Sequence, residues 1–288
     1  MKLDDSRRSD NVEEGSSAGG GIRGIHLGIG GTLVVLVVGY FMGVSPMTLL
    51  GLLNGNDQSA NAPTQSTPVT AQANDPQIDF VRAILGETED VWGAYFKDMG
   101  KTYTPPKLHL FNRRVDSACG LASSAAGPFY CPGDQKVYLD LSFFNQLARQ
   151  FGAPGDFARA YVIAHEVGHH VQNLLGITDK AAQEEHEAGR AGANKVSVRV
   201  ELQADCFAGV WAEQANAARK ILEPGDLEQG LAAASSVGDD TLQKREQGTV
   251  VPDSFTHGTS AQRVKWFRRG FESGKIDNCD TFGAGASI

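Results

Sequence analysis

A long run of uncharged residues near the N-terminus constrains this chain more than any other feature. No Asp, Glu, Lys or Arg occurs between Arg23 and Asp57, and residues 27–44 read LGIGGTLVVLVVGYFMGV. The run lacks the polar stripe that a helix at the surface of a globular core shows at helical spacing. Its length suits the roughly 30 Å hydrocarbon layer of a bilayer. We therefore predict one transmembrane helix within residues 25–53.

The flanking charges predict the orientation of this anchor. Four basic residues precede it: Lys2, Arg7, Arg8 and Arg23. The next basic residue is Arg82. Cytoplasmic flanks of membrane helices carry the excess of Lys and Arg, so residues 1–24 are predicted to be a cytoplasmic tail at a bacterial inner membrane. A signal peptide cleaved near residues 60–62 is the alternative, but the long polar N-terminal region favours an uncleaved anchor.

Composition separates a linker from a folded domain. Residues 54–76 are mainly Asn, Gln, Ser, Thr, Ala and Pro, which bury too little apolar surface to fold, so we predict a flexible linker. Residues 77–288 are then a periplasmic or extracellular domain. The net charge of −8 excludes a generally basic nucleic-acid-binding protein. The sequence does not indicate an oligomeric state.

Four cysteines lie in the part predicted to face an oxidising compartment: Cys119, Cys131, Cys206 and Cys279. Three pairings are possible. We favour Cys119 with Cys131, because that bond closes a loop rich in Gly, Ser and Ala, and Cys206 with Cys279, because that bond fixes the C-terminal tail to a helix. A buried free thiol at Cys206 is the alternative. The spacing needed for a structural zinc finger is absent from the sequence.

A predicted helix that begins at Asp156 and ends at Gly176 carries the chemistry. Asp is a good N-cap, Gly a common stop, and apolar residues recur between them at steps of three and four. His165 and His169 lie one turn apart, so both imidazoles can converge on one ion, and Glu166 adjoins the first. In such HExxH sites the histidines bind Zn²⁺ and the glutamate takes a proton from water that the metal acidifies.

A second predicted helix, residues 198–218, supplies acidic residues. A catalytic zinc site needs a third protein ligand, and Glu201 and Asp205 again lie one turn apart. We predict that Glu201 completes the metal site and that Asp205 accepts the distal N–H of a ligand histidine. The alternative is a pair of acidic residues that interact favourably with the dipole of their own helix.

These motifs carry a family resemblance. HEVGHH, residues 165–170, and ELQADCFAG, residues 201–209, resemble the bacterial neutral zinc metallopeptidases, and the similarity continues through residues 131–144 and 255–263. More distantly the chain is similar to the gluzincins, thermolysin included. The resemblance implies an α+β domain, mainly helical with a small antiparallel sheet, that holds one catalytic Zn²⁺ and hydrolyses protein or peptide substrates.

The resemblance also implies roles for two residues near the C-terminus. Membrane gluzincins carry a Thr-His-Pro element with an Arg six residues after its His. Here Thr256, His257 and Gly258 precede Arg263 with the same spacing, and Gly replaces Pro. The resemblance therefore implies that His257 stabilises the oxyanion and that Arg263 holds the local structure or the carboxylates of the site.

Several assignments stay open at this stage. His257 could instead cap a final helix that starts near Ser260, and Tyr130 or Tyr138 could stabilise the oxyanion. Residues 136–141 alternate in polarity and predict a half-buried strand. By analogy with gluzincins, this strand is either the sheet edge that receives an extended substrate or an ordinary core strand.

We interpret the chain as a membrane-anchored zinc metallopeptidase. A membrane-tethered binding or assembly module with a structural zinc is the alternative from another class; it needs a fourth protein ligand, for which His186 is one candidate. A zinc hydrolase acting on a non-peptide amide would use the same site. His170 lies about 100° around the helix from His169 and is predicted to pack against the site or support it rather than bind metal.

Overall fold

The described residues, 1–15, 75–283, 286 and 288 of the computed structural model, form a mainly helical α+β fold, which confirms the predicted class. The helices are α1 (Pro76–Asp98), α2 (Ser142–Arg149), α3 (Asp156–Leu174), α4 (Ile177–Glu187), α5 (Arg190–Arg219), α6 (Asp226–Ser236), α7 (Asp239–Gln247) and α8 (Ser260–Ser273). The strands are β1 (Val12–Glu14), β2 (Lys107–Phe111), β3 (Arg114–Ser117), β4 (Gly120–Ser123), β5 (Phe129–Cys131) and β6 (Lys136–Asp140).

The main sheet is mixed, so the predicted antiparallel sheet is wrong. Its strand order is β1-β2-β6-β5, with β1 and β6 parallel to β2 and only β5 antiparallel to β6. Strands β2 and β6 run in the same direction because the chain between them makes the separate β3–β4 hairpin and then β5. The predicted strand at 136–141 is present as β6, but it lies inside the sheet. Its interpretation as the substrate edge is therefore wrong, and β5 is the edge strand.

Residues 1–15 belong to the same compact unit as the residues from 75 onward. Strand β1 pairs with β2, with Val12 opposite Leu108, and the Val12 side chain is buried in the main core. The sequence predicts a separate tail here, because a three-residue strand is too short to show a period. The predicted anchor, 25–53, lies outside the described residues. Within the described ranges, no helix is long and apolar enough to cross a bilayer.

Helices α3 and α5 pack closely enough to bring their polar residues together. A side chain at Gly168 of α3 would lie only 3.0 Å from the backbone oxygen of Ala204 in α5. Glycine inside a helix costs about 1 kcal/mol relative to alanine, and here it permits the close approach. Helix α8 covers the other side of α5, where Gly270 approaches the backbone oxygen of Cys206. The HExxH helix is thus fixed against the helix that carries Glu201.

Both favoured disulfides are present. Cys119 pairs with Cys131 and joins the turn of the β3–β4 hairpin to the edge strand β5. Cys206 pairs with Cys279 and joins α5 to the turn that follows α8, so the free-thiol alternative for Cys206 is wrong. The second bond fixes the C-terminal turn next to Asp205, whose side chain belongs to the candidate site.

The helix ends differ from the predictions in ways that local chemistry explains. Gly155, not Asp156, is the N-cap of α3, and the side chain of Gln229 accepts the N–H of Phe157 in the first turn. Helix α5 starts at Arg190, eight residues before the predicted start at 198. The prediction missed the first two turns because they lack an apolar period. Helix α8 begins at Ser260 as predicted, but Thr259 caps it through a capping box. The capping alternative for His257 is therefore wrong.

Candidate metal centre

His165, His169 and Glu201 meet where α3 packs against α5. The two Nε2 atoms are 3.1 Å apart, and Glu201 carboxylate oxygens lie 3.2 Å from that of His165 and 3.4 Å from that of His169. A tetrahedral zinc with bonds of roughly 2.0–2.1 Å places its ligand atoms about 3.3 Å apart. These separations and this donor set therefore fit one zinc ion, as the sequence predicted for these three residues.

The other nitrogen of each histidine is held by an oxygen. His165 Nδ1 lies 3.0 Å from Asp205 Oδ1, and His169 Nδ1 lies 2.9 Å from Gln172 Oε1. When each Nδ1 carries the proton and donates it to these oxygens, each Nε2 presents a lone pair to the metal. The structure places Asp205 where the sequence predicted it. Gln172 was missed, although its position three residues after His169 on the same helix was a usable signal.

Asp205 is itself held by a fully buried network. Arg263 Nε and Nη2 donate to the two oxygens of its carboxylate at 2.8 and 2.9 Å, and the Tyr161 hydroxyl also donates to it. Burial opposes ionisation of Asp205, but Arg263 and His165 together outweigh burial and lower the pKa of this carboxyl below its ordinary value. Arg263 therefore holds a carboxylate of the site, one of the two roles expected for it. Tyr161 was not predicted.

Without a metal ion, the centre favours a protonated His165. Burial lowers the pKa of His165, but Asp205 and Glu201 outweigh burial and raise it to about 10. Burial also opposes ionisation of Glu201, and the neighbouring histidines still hold its pKa well below the usual range. A metal must displace the histidine proton, so metal binding weakens as the pH falls.

Glu166 adjoins the ligand residue His165 and lines an open cleft of about 600 Å³. Glu166 is buried, and His165 and His169 line the same cleft. In the described part of the chain no fourth side chain joins the metal-binding group, and His186 is exposed at the end of α4. A tetrahedral ion at this centre therefore keeps one position for a non-protein ligand, as catalytic zinc sites do.

Comparison with known proteins places the chain in a family. A family model described as "Putative neutral zinc metallopeptidase" matches residues 1–282. The chain belongs to this family. The protein named "Uncharacterized protein YpfJ" from Escherichia coli (strain K12) is 49% identical over 98% of this chain and 99% of its own length. "Uncharacterized protein Rv2575" from Mycobacterium tuberculosis (strain ATCC 25618 / H37Rv) is 46% identical over 71% of this chain and 72% of its own. No solved structure matches significantly.

The cleft of this zinc metallopeptidase family member is lined by an edge strand and by apolar side chains. One wall is the loop 125–128 with the edge strand β5, which contributes Phe129 and Tyr130. Apolar side chains from other elements extend it, including Phe143, Phe151 and Val162. His257 and Arg263 lie on the cleft as well. The metal centre is thus open to a groove that is lined by β5, the edge strand of the described sheet, and by apolar side chains.

His257 is held at the cleft by Asp239, the first residue of α7. One oxygen of Asp239 accepts the backbone N–H groups of residues 256, 257 and 258 at 2.6–3.0 Å, and the other lies 3.2 Å from His257 Nδ1. Gly258 has φ of +85°, which proline with its fixed negative φ cannot adopt. This explains why Gly replaces Pro in the motif. Asp239 was not predicted, because it lies on a different element with no motif around it.

Tyr130 and Tyr138, the alternative oxyanion donors, each donate the hydroxyl proton to another side chain. His170 Nε2 donates to the backbone oxygen of Thr104 at 2.7 Å, so its Nδ1 accepts the proton of the Tyr130 hydroxyl at 3.0 Å. Tyr138 donates to Asp134 at 2.7 Å. Each hydroxyl has one proton to donate. Neither tyrosine therefore offers a free donor to the cleft in this arrangement, and His170 connects α3 to the edge strand, a supporting position.

Replacing Gln172 by Leu is expected to weaken zinc binding by about 10–100-fold, because His169 loses the oxygen that orients its ring. Gln203→Leu is the matched control: Gln203 is also buried and accepts from Gln172 Nε2 at 3.0 Å, but it does not contact His169. Zinc affinity measured by competition with a chromogenic chelator checks this. Equal losses in the two variants would show that general packing, not the orientation of His169, sets the affinity.

Proposed function

We propose that this protein is a zinc-dependent endopeptidase that hydrolyses peptide bonds with a metal-activated water. The observation that carries the proposal is the convergence of His165, His169 and Glu201 with ligand spacings of 3.1–3.4 Å, beside Glu166 in an open cleft. Membership of a zinc metallopeptidase family supports the same reading. A zinc ion held there supplies a Lewis acid that acidifies water and polarises a carbonyl.

Glu166 is the proposed general base and acid. Its position next to a metal ligand allows it to take a proton from the attacking water and to pass that proton to the leaving amine. Asp205 and Gln172 keep the ligand histidines in the tautomer that leaves Nε2 available. Arg263 keeps Asp205 ionised and in place.

The outer edge of β5, which is unpaired among the described strands, is the proposed binding surface for the substrate backbone. An extended peptide can add to such an edge through main-chain hydrogen bonds, while pockets beside it select side chains. The aromatic and aliphatic residues on this wall favour substrates with apolar side chains near the scissile bond. The cleft is open at its surface, which suits unfolded segments of proteins.

His257 is the proposed donor to the oxyanion of the tetrahedral intermediate. Its hydrogen bond with Asp239 raises the pKa of the imidazole above its ordinary value, against the opposing effect of burial. With Nδ1 directed to Asp239, Nε2 is the nitrogen that is available to a substrate oxygen. A protonated imidazole donates more strongly, so this role is served best below the pKa of His257.

Asp239→Asn is expected to shift the alkaline limb of the kcat/KM profile to lower pH. Because Asp239 raises the pKa of His257, its removal makes the imidazole lose its proton at lower pH, and the protonated donor is lost earlier as pH rises. A pH series of kcat/KM with a quenched fluorescent peptide checks this. An alkaline limb that stays in place in the variant would remove His257 from the oxyanion role.

We also propose that the domain works outside the cytoplasm at a membrane. Two disulfides in one domain favour an oxidising compartment. The uncharged apolar run between Arg23 and Asp57 provides the affinity for lipid. Substrates would then be extracytoplasmic proteins or peptides.

Hydrolysis of casein by the zinc-loaded full chain tests the proposal. We expect fragments to appear, to disappear after treatment with a chelator, and to return when zinc is restored. Stoichiometric zinc without cleavage of casein or of a random peptide library would contradict the proposed endopeptidase.

A further inference from the structure

The N-terminal segment, residues 1–15, supplies the partners of a buried charge in the domain. Glu89 of α1 is 8% exposed. Its carboxylate accepts hydrogen bonds from the Arg7 guanidinium at 2.6 Å, the Asn11 amide at 2.8 Å and the Ser9 hydroxyl. All three donors come from the segment. A carboxylate buried without such partners is strongly unfavourable, so the domain needs the segment in place.

Glycine in the middle of α1 makes room for the segment. A side chain at Gly86 would lie 2.4 Å from the backbone oxygen of Arg7, closer than real side-chain carbons approach such an atom. Glycine is disfavoured inside a helix, and Gly86 is explained by this contact. Gly93, on the same helix, has no atom within 4 Å of the corresponding position. The segment therefore packs on Gly86 and not on Gly93.

Further contacts extend along the segment. The Arg8 guanidinium donates to both oxygens of Asp79 at 2.9 and 2.8 Å. The Ser9 backbone N–H donates to the backbone oxygen of Arg82 at 2.9 Å. Beyond these, β1 extends the sheet in parallel to β2. The segment is thus joined to α1 by ion pairs and to the sheet by main-chain hydrogen bonds.

We propose that residues 1–15 fold together with the metallopeptidase domain on the same side of the membrane. Residues 16–74 join this segment to the rest of the domain along the chain. A single crossing within residues 16–74 would put the two parts on opposite sides. Two crossings need about 40 apolar residues, and the uncharged run between Arg23 and Asp57 is shorter. This proposal does not depend on peptide hydrolysis.

Paired glycine substitutions test whether the segment is docked in the full chain. Gly93→Ala is expected to raise the melting temperature by about 2–4 °C, because it removes the helix penalty of glycine. Gly86→Ala is expected to lower it, because the new methyl group displaces the Arg7 backbone. Thermal unfolding of the full-length protein in detergent micelles measures both. A rise with Gly86→Ala similar to that with Gly93→Ala would overturn the docking.

Cysteine labelling tests the side of the membrane. Asp5 in the segment and Asp98 at the end of α1 are both exposed. In cells stripped of their walls, a membrane-impermeant maleimide is expected to label Asp5→Cys and Asp98→Cys alike without lysis. Labelling of Asp5→Cys only after lysis, with Asp98→Cys labelled in intact cells, would overturn the proposal and restore the single crossing.

Discussion

Glu166→Gln is expected to retain zinc and to lose peptide hydrolysis by about 10²–10⁴-fold in kcat/KM. The substitution keeps the shape of the side chain but removes the carboxylate that takes the proton from water, and general-base catalysis typically contributes a factor of this size. The three metal-binding side chains are untouched, so the zinc content measured by atomic spectroscopy should equal that of the unsubstituted protein. Initial rates on a quenched fluorescent peptide give the loss.

Glu246→Gln is the matched control for this experiment. Glu246 also lines the cleft and undergoes the same chemical change, but its side chain is exposed and pairs only with the adjacent Arg245 among its described ion pairs. We expect the control to keep most of the activity. Full activity in Glu166→Gln would exclude Glu166 as the general base.

Glu201→Ala is expected to lose zinc as well as activity. Its carboxylate lies within 3.4 Å of both histidine Nε2 atoms, and without it two imidazoles remain to hold the ion. The loss of zinc affinity should exceed the 10–100-fold effect expected when only a supporting partner such as Gln172 is removed. Equilibrium dialysis against a zinc buffer measures it, with circular dichroism to show that the helices remain.

Zinc content and activity, measured together in both variants, separate a metal ligand from a catalytic residue that does not bind the metal. If Glu201→Ala kept a stoichiometric, tightly bound zinc, Glu201 would not be a metal ligand, whatever happened to the activity. Zinc retained by Glu166→Gln and lost by Glu201→Ala would assign the two glutamates to different tasks within one centre.

The sequence predicted the parts of the site that one helical turn determines. His165 and His169 lie four residues apart on α3, and Glu201 and Asp205 four apart on α5, so each pair occupies one helix face whatever the tertiary structure. The meeting of the two pairs was an inference from zinc chemistry. The structure brings them together through the close packing of the helices at Gly168.

Apart from Gln172, which lies on the same helix as His169, the parts that were missed depend on packing between distant elements. Asp239 of α7 contacts His257 in the loop before α8, and Tyr161 of α3 contacts Asp205 of α5. Neither contact leaves a periodic signal. The direction of β6 depends on how the chain crosses back after β2, and the strand at Val12 is too short for its alternation to be read. The Cys119–Cys131 bond was predicted from the composition of the loop that it closes, and the Cys206–Cys279 bond from the need to fix the C-terminal tail to a helix.

A crystal structure of the zinc-loaded protein tests the central claim most directly. We expect one zinc bound by Nε2 of His165, Nε2 of His169 and the carboxylate of Glu201, with a solvent molecule as the remaining ligand within hydrogen-bonding distance of Glu166. A fourth protein ligand in place of that solvent, from His186 or any other side chain, would indicate a closed structural site. That result would contradict the proposed peptidase and favour a zinc-containing binding module.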